Sequence, residues 1–450
     1  MTKTLPAKMK GKPTRHRGPF SFLVRSSLLF CLISICISKG SAINHQDYDS
    51  IHVYVEDMVN WLRINGGFMS DKVEIRRRVP GDRSSPSGIF AVSDIATEEV
   101  IFRVPSELYI SVEQRDSQKG INMTHSDEEM AAYYHNQCRL ATRLLDEIKL
   151  FRLSPSTSKF APYIRYLEDL QSKGQIPATY SEQGKDVLRK IQGFVKNDLQ
   201  QFRSAHFGES PLPPADLVDW IDKYFVQSGC IEANDADASH AVALVVQRGF
   251  DLELIPVWDM VNHDVRERVN IETNLVRSSG GLVVWAKRPI SAGEEIFYSY
   301  NYCVDCDNAG EEWGTPGIFR DFGFLEGYPQ EWPFLDQNVA VKIHQDEENR
   351  QRFYSTFLPQ PAYETDNIDD EPGQVVEGKI DDKSHVFFQA QLSRLKGIDL
   401  KMDLAAVEPS HERQMIQSYF DSLVVALTSV IEQKTAASHD AQTGYDVCIG

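Results

Sequence analysis

Hydrophobic and polar residues follow two different periods along the chain. Short apolar or β-branched runs, bounded by Pro, Gly and Ser, predict strands after an opening helix that begins near Ile51. These runs are Val73–Arg77, Gly88–Val92 and Val100–Val104. Over residues 128–225 apolar residues recur instead at helical spacing, as at Leu140, Leu144 and Ile148. The pattern therefore predicts a strand-rich segment followed by a helical one.

Strand patterns return later in the chain, at Leu282–Trp285 and Ile296–Tyr298, on either side of a turn that contains Pro and Gly. An acidic, breaker-rich loop near Glu364–Asp382 and a helical pattern over Arg413–Lys434 follow. This order predicts an α+β fold rather than the regular alternation of a doubly wound sheet. No GxGxxG sequence opens a helix after a strand, so the sequence does not support a Rossmann cofactor site.

These changes of pattern predict the domain organisation. The strand-rich module occupies residues 50–128 and 246–334, and a helical insertion at 129–245 interrupts it. Residues 335–450 form a mostly helical C-terminal region with an acidic loop. Residues 1–42 precede the folded part and have the composition of a targeting segment.

The first 42 residues carry eight Lys or Arg and no acidic residue, and the apolar run Leu28–Ile37 precedes Gly40-Ser41-Ala42. Basic, apolar and small-residue segments in this order predict a signal peptide. The run is shorter than the roughly 20 residues that span a membrane, although a retained signal anchor stays open. We expect entry into the secretory pathway, leading to the ER lumen, or to the plastid in an alga whose plastid import is routed through the ER. The sequon at Asn122 is weakly consistent with this route.

Charge and cysteine content narrow the function. The net charge of −18 over 450 residues disfavours nucleic-acid binding, whereas a basic protein partner is compatible with it. The five cysteines that follow the apolar run are too few and too scattered for a disulfide framework. A structural zinc site needs four ligands, and Cys303 and Cys306 would supply only two of them. A local disulfide or two free thiols is therefore favoured over a metal site.

Three segments carry candidate chemistry: Ser87–Ala91, Ile255–His263 and Ala292–Asn301. Taken alone, Gly88 is an ordinary turn glycine, and the Asn262–His263 pair is a helix cap or a satisfied buried pair. Tyr298 and Tyr300 share one strand face, where aromatic residues usually belong to the core.

The order and spacing of the three segments, however, resemble the SET-domain family of protein methyltransferases. The subgroup that carries a helical insertion, which contains the Rubisco large-subunit lysine methyltransferase and the actin-histidine methyltransferase, is the most similar. The resemblance extends from about Val55 to Phe334 and includes Phe160–Leu167 in the insertion and Arg320–Phe324 after the third segment.

The resemblance implies a β-rich core in which two segments thread past each other as a pseudoknot, with S-adenosylmethionine as cofactor and no metal. Tyr300 is the catalytic candidate. The implied cofactor-binding residues are Ser85, Ser87, Gly88, Asn262, His263 and Phe324. The implied substrate-binding residues are Arg248, Asp259, Tyr298 and Phe322.

The chemistry of a sulfonium methyl group explains why these residue types suffice. The methyl group is already activated, so the protein has to align a nitrogen nucleophile with it in a narrow channel. Desolvation helps by lowering the pKa of a lysine, which is ordinarily about 10.4. A neutral phenol is a poor proton acceptor, so Tyr300 is expected to align the acceptor rather than to act as a base. Tyr298 is expected to limit the width of the channel.

The sequence thus predicts a protein-lysine N-methyltransferase, with histidine a less favoured acceptor and an unidentified protein as substrate. Three departures from the family pattern, Pro86, Asp264 and Phe322, keep open a catalytically inactive SET module that binds proteins. Pro86 lacks an N–H group, and Asp264 places a carboxylate next to the expected cofactor. An extracellular adhesion domain is the third hypothesis. Membrane association is expected only if the N-terminal apolar segment is retained.

Overall fold

A computed structural model describes residues 51–79, 85–112, 127–193, 212–214, 216–250, 252–265, 268–274, 280–301, 314–334, 337, 339–345, 351–357 and 380–443. The predicted leader, the sequon at Asn122, the Cys303–Cys306 pair and most of the acidic loop lie outside these residues. No helix of the described ranges is long and apolar enough to cross a membrane.

The described helices fall into groups that are separated by groups of strands, which is typical of an α+β fold. They are α1 (Ile51–Ile64), α2 (Asp127–Leu153), α3 (Ala161–Leu170), α4 (Glu182–Gln192), α5 (Ala236–Arg248), α6 (Gly314–Phe322), α7 (Asp382–Lys396), α8 (Leu400–Ala405) and α9 (Ser410–Thr443). Helices are present where the sequence predicted the opening helix, the helical insertion and the helix near Arg413.

The strands are short. They are β1 (Phe68–Met69), β2 (Val73–Arg77), β3 (Ser87–Ala91), β4 (Val100–Val104), β5 (Ile110–Ser111), β6 (Gly249–Phe250), β7 (Glu253–Leu254), β8 (Asn262–His263), β9 (Ile271–Thr273), β10 (Leu282–Ala286), β11 (Phe297–Tyr298), β12 (Gln330–Phe334), β13 (Val339–Gln345) and β14 (Gln351–Phe357). All five predicted strand runs are confirmed.

Small sheets rather than one large sheet build the strand-rich module. One sheet has the antiparallel order β1-β4-β10-β9, another has the order β5-β7-β6, and β2 pairs with β3. A further sheet, β12-β13-β14, lies at the start of the C-terminal region, for which the sequence predicted a mostly helical structure with no strands named. Its strands pair in sequence order as an antiparallel meander. Pro333 within β12 weakened the strand pattern there.

Two hydrophobic clusters fill the interior. The first joins α1 and the early sheets with α2, α3 and α5 of the insertion. The second joins α4 with β12, β13 and the helices α7, α8 and α9. The insertion therefore contributes to both clusters, because α4 packs with the C-terminal region while its neighbours pack with the strand-rich module.

The ends of α4 show how the C-terminal region holds it. The Ser181 hydroxyl caps the first turn by accepting from the Gly184 N–H, and the Glu412 carboxylate accepts from both the Ser181 N–H and its hydroxyl. At the other end, the Arg394 guanidinium donates to the carbonyls of Lys190 and Ile191. A carboxylate at the N-terminus and a cation at the C-terminus both complement the helix dipole.

A disulfide joins Cys138 in α2 to Cys230, with the Cα atoms 5.9 Å apart. Ninety-two positions separate the two cysteines in sequence. The bond therefore links the helix that opens the insertion to the segment that precedes α5. Sequence spacing alone does not determine such a pairing.

Candidate active site

Two distant segments meet side by side at the centre of the predicted site. Strands β8 and β11 pair in parallel, with Asn262 opposite Phe297 and His263 opposite Tyr298. The Asp264 N–H then donates to the Tyr298 carbonyl at 3.0 Å. This pairing places the segment that carries Tyr300 directly beside Asn262 and His263. The same two segments are in contact in the threaded arrangement that the resemblance implies.

Tyr300 is held at both its backbone and its hydroxyl. Its N–H donates to His263 Nδ1 at 2.9 Å, and its hydroxyl donates to the Val261 carbonyl at 2.5 Å. Burial raises the pKa of Tyr300, with Asp259 adding to the rise and Arg248 opposing it. The phenol is therefore neutral at physiological pH and is suited to orienting a ligand rather than to removing a proton.

An aromatic group surrounds Tyr300 and His263. The Phe322 ring centroid lies 4.7 Å from that of Tyr300, and the Phe324 centroid lies 5.8 Å from that of His263. Phe322 is the last residue of α6, and Phe324 lies two residues beyond it. The structure thus brings four of the predicted site residues together in one aromatic cluster.

The Asn262 side chain is anchored from two sides. Its amide donates to the Ser87 carbonyl at 2.8 Å and to Glu295 Oε1 at 2.7 Å. A Cβ atom at Gly88 would lie 2.3 Å from Glu295 Oε1, so glycine is required there by this close approach. Arg78 covers the buried Glu295 carboxylate with two hydrogen bonds. Gly88 therefore creates the space in which Glu295 fixes Asn262.

Ser85 lies at the base of the same hairpin and is buried. Its hydroxyl accepts from the Val79 N–H at 2.8 Å, and its carbonyl accepts from Arg77. The Pro86 carbonyl accepts from the Arg78 N–H at 2.8 Å, so the backbone at Pro86 is used to close the hairpin. Ser85 and Pro86 thus shape the β2–β3 connection, and Ser87 is the residue of this stretch that contacts Asn262.

Arg248 and Asp259 form a buried ion pair that the insertion completes. Arg248 Nη1 donates to the Asp259 carbonyl at 3.0 Å and lies 3.3 Å from its Oδ2. From α3, the Tyr163 hydroxyl donates to Asp259 Oδ2 at 3.0 Å, and the Tyr166 ring lies beneath the guanidinium, 5.7 Å from it. Burial raises the pKa of Asp259, and the Arg248 guanidinium offsets part of that rise.

Two atoms of this ion pair are left open. Within the part of the chain that the structure describes, Arg248 Nε and Asp259 Oδ1 are buried without a hydrogen-bond partner. An unpaired buried polar group costs about 1–3 kcal/mol, which a ligand that completes the pairing would recover. The charges of Arg248 and Asp259 also act on the pKa of Tyr300, Arg248 lowering it and Asp259 raising it.

Tyr298 belongs to a second aromatic wall. The centroid of its ring lies 4.9 Å from that of the buried Trp258 ring, in an edge-on arrangement. The Phe250 ring is also edge-on to Trp258, with the centroids 5.9 Å apart. Val257, directly before Trp258, has a φ of 71°, which is rare for a β-branched residue. Such a strained residue costs about 1–3 kcal/mol and is typical of functional sites. Here it directly precedes the short 3-10 helix Trp258–Met260, which carries Asp259.

The charge of Asp264 is neutralised within its own loop. Its Oδ1 accepts from the Val265 N–H at 2.7 Å and lies 2.9 Å from Arg268 Nη2. The sequence predicted a carboxylate next to the expected cofactor, and the structure pairs that carboxylate with a cation four residues along.

A comparison with family models shows what this region is similar to. Residues 87–301, just under half of the chain, match the model of the SET domain. The match begins at Ser87 in β3 and ends at Asn301, directly after Tyr300, so it includes both strands that pair at the site.

No curated protein matches the sequence. Among solved structures, the SET domain of LSMT bound to lysine and AdoHcy has 14% identity and a TM-score of 0.45, covering 87% of this chain and 93% of that one. Rubisco LSMT bound to AdoMet has 12% identity and a TM-score of 0.41, covering 88% and 97%. Identities and TM-scores of this size decide neither substrate nor activity.

Sequence reasoning missed several residues that hold the SET domain site together. Glu295 stood inside the third predicted segment, where two consecutive glutamates gave no sign of which one is buried. Tyr163 and Tyr166 stood in the insertion at a spacing of three, which is ordinary for a helix face. Glu326 lies two residues beyond Phe324 and had no local signal at all.

Proposed function

We propose that this chain transfers a methyl group from S-adenosylmethionine to a side-chain nitrogen of a protein, with lysine the favoured acceptor and histidine the second. The observation that carries the proposal is the buried, neutral Tyr300 hydroxyl, held against the Asn262–His263 segment within a matched SET domain. The cofactor supplies an activated methyl group, and the protein supplies alignment and a dry channel.

The described residues fit such a cofactor. At Gly88 the absence of a side chain leaves room for the Glu295 carboxylate that anchors Asn262. The Asn262 amide uses its N–H groups on Ser87 and Glu295, which leaves its carbonyl oxygen to accept from an ammonium group. Asn262, His263, Ser87 and Gly88 would hold the amino-acid end, and Phe324 would pack against the adenine. Ser85 would contribute to cofactor binding indirectly, by fixing the shape of the β2–β3 hairpin.

The acceptor side follows from the open atoms and the aromatic walls. Arg248 Nε and Asp259 Oδ1 provide a donor and an acceptor for polar groups of the bound molecules. Phe322 and Tyr298 would line the channel for the acceptor side chain, and their apolar surfaces favour an uncharged amine over an ammonium ion. An uncharged nitrogen has the lone pair that methyl transfer requires.

The compartment is a separate proposal. We infer that the chain enters the secretory pathway, because a leader-like segment precedes the fold and because a disulfide joins Cys138 to Cys230. Disulfides persist in oxidising compartments and are rare in the cytosol. Fusing residues 1–60 to a fluorescent reporter tests the route and separates a cleaved signal peptide from a retained anchor.

Two measurements test the proposed activity on the full chain. Calorimetry with S-adenosylmethionine should show binding, and the absence of binding at millimolar cofactor would refute the enzyme hypothesis. Cell extract incubated with the protein and isotopically labelled cofactor should then yield labelled lysine residues in mass spectra. Binding without label transfer would instead favour the inactive SET module that acts as a protein-binding domain.

A further inference from the structure

Glu326 lies outside residues 87–301, which match the SET domain model, and its buried carboxylate contacts His263, the residue that pairs with Tyr300. Glu326 has a side chain that is 4% exposed, and the His263 side chain beside it is 2% exposed. Glu326 Oε1 lies 2.8 Å from His263 Nε2. The opposite ring nitrogen, Nδ1, accepts from the Tyr300 N–H. A continuous chain of hydrogen bonds therefore runs from Glu326 through the imidazole to the backbone of Tyr300.

The partners determine the protonation of the ring. A backbone N–H can only donate, so His263 Nδ1 must be unprotonated where it meets Tyr300. The ring proton then lies on Nε2 and is donated to Glu326. His263 is thus a neutral imidazole in one tautomer, and the Glu326 carboxylate selects that tautomer.

Glu326 is itself fixed from two further directions. The Thr315 hydroxyl donates to Oε2 at 2.8 Å, and the Asn301 amide donates to Oε1 at 3.4 Å. Thr315 is fully buried at the start of α6, and Asn301 directly follows Tyr300. The carboxylate therefore receives donors from β8, from the end of the Tyr300 segment and from α6.

We propose that Glu326 is a positioning residue for Tyr300: it fixes the His263 tautomer whose Nδ1 accepts the Tyr300 backbone N–H. The expected effect on the rate rests on the proposed methyl transfer, whereas the expected effect on the His263 tautomer does not. Without the carboxylate, the imidazole is free to adopt the other tautomer. The Tyr300 N–H then loses its acceptor, and the phenol loses the backbone restraint that aims it.

The kinetic test compares variants of the full chain. In Glu326→Ala, the rate of labelled methyl transfer to extract proteins at saturating cofactor should fall about 10- to 100-fold, because a displacement near 1 Å costs about that much. The cofactor Kd should change less than about threefold, because the β8–β11 backbone pairing is independent of the carboxylate. Glu326→Gln retains an oxygen that accepts from His263 Nε2 and should recover most of the rate.

Glu412 provides a matched control. It is 3% exposed, and its carboxylate accepts from Ser181 near the start of α4, in the other hydrophobic cluster. Glu412→Ala should lower stability by a similar amount yet keep the transfer rate of the folded protein. Equal rates in Glu326→Ala and Glu412→Ala, or a Glu326→Gln variant as slow as Glu326→Ala, would overturn the positioning role.

A spectroscopic arm is independent of activity. With ¹⁵N-labelled histidine rings, and His263→Asn to assign the resonance, the wild-type protein should show His263 with a bare Nδ1 and a protonated Nε2. Glu326→Ala should shift that tautomer, whereas Glu412→Ala should not. If the wild-type chain transfers no methyl group, the proposed function fails while this arm still decides the role of Glu326. The same His263 tautomer in wild type and Glu326→Ala would contradict it.

Discussion

Gly88 offers the sharpest test of how the site is built. A Cβ atom added there would lie 2.3 Å from Glu295 Oε1 and 2.7 Å from Asn262 Nδ2. Ordinary contact begins near 3.4 Å, so the first of these distances falls short by about 1.1 Å. The backbone of Gly88 is paired in β3 opposite Arg76 and is not left-handed, so the clash is the whole effect of Gly88→Ala.

The clash cannot be relieved cheaply. Glu295 is 7% exposed and is held by Arg78 and Asn262, so its carboxylate is not a free chain end. Moving it breaks a charge-assisted hydrogen bond that contributes about 1.5–3 kcal/mol. We expect Gly88→Ala to lower the free energy of unfolding by about that amount. The displaced Asn262 should weaken cofactor binding about 10- to 100-fold, since 1.4 kcal/mol corresponds to a factor of about ten.

Calorimetric titration with S-adenosylmethionine and urea unfolding measure the two effects. Gly280→Ala is the matched control, because a Cβ atom there would meet nothing within 4 Å. In a Glu295→Ala background, Gly88→Ala should cost at least about 1 kcal/mol less, because the carboxylate that it strikes has gone. Wild-type cofactor affinity in Gly88→Ala, or equal costs in both backgrounds, would refute the assignment of Glu295 as the anchor of Asn262.

Three further outcomes are expected. Tyr300→Phe should lower methyl transfer about 10²- to 10³-fold in the labelled-cofactor assay with cofactor binding retained, and a rate above half of wild type would exclude the aligning role. Tyr109, whose pKa burial raises from 10.0 to about 12, contributes stability that is complete below pH 10 and lost as pH rises through 12. Urea unfolding of Tyr109→Phe should therefore show a shallower alkaline decline than wild type, and identical slopes would contradict this. Replacing Cys138 and Cys230 with alanine should cost about 2–5 kcal/mol of unfolding free energy, and an unchanged urea midpoint would show that the bond constrains nothing.

Much of the α+β organisation was readable from local patterns. Short apolar or β-branched runs located β2, β3, β4 and β10, and apolar residues at helical spacing located the helices of the insertion. The order of three motifs indicated the SET domain that the family model matches at residues 87–301. These features are local because side-chain direction in a strand or helix depends on near neighbours. The β12–β14 sheet was not predicted, and only for β12 does a proline within the strand account for this.

The support of the site, by contrast, was decided by the tertiary structure. His263 and Glu326 lie 63 positions apart, and Asn262 and Ser87 lie 175 apart, so only the folded chain brings them together. The Cys138–Cys230 pairing and the neutralisation of Asp264 by Arg268 were likewise outside the reach of sequence patterns. The sequence determined which residue types were present and in what order. The tertiary structure determined that Glu295 and Glu326 hold the site residues in place. A buried carboxylate is stable only with hydrogen-bond donors, and here distant segments of the chain supply them.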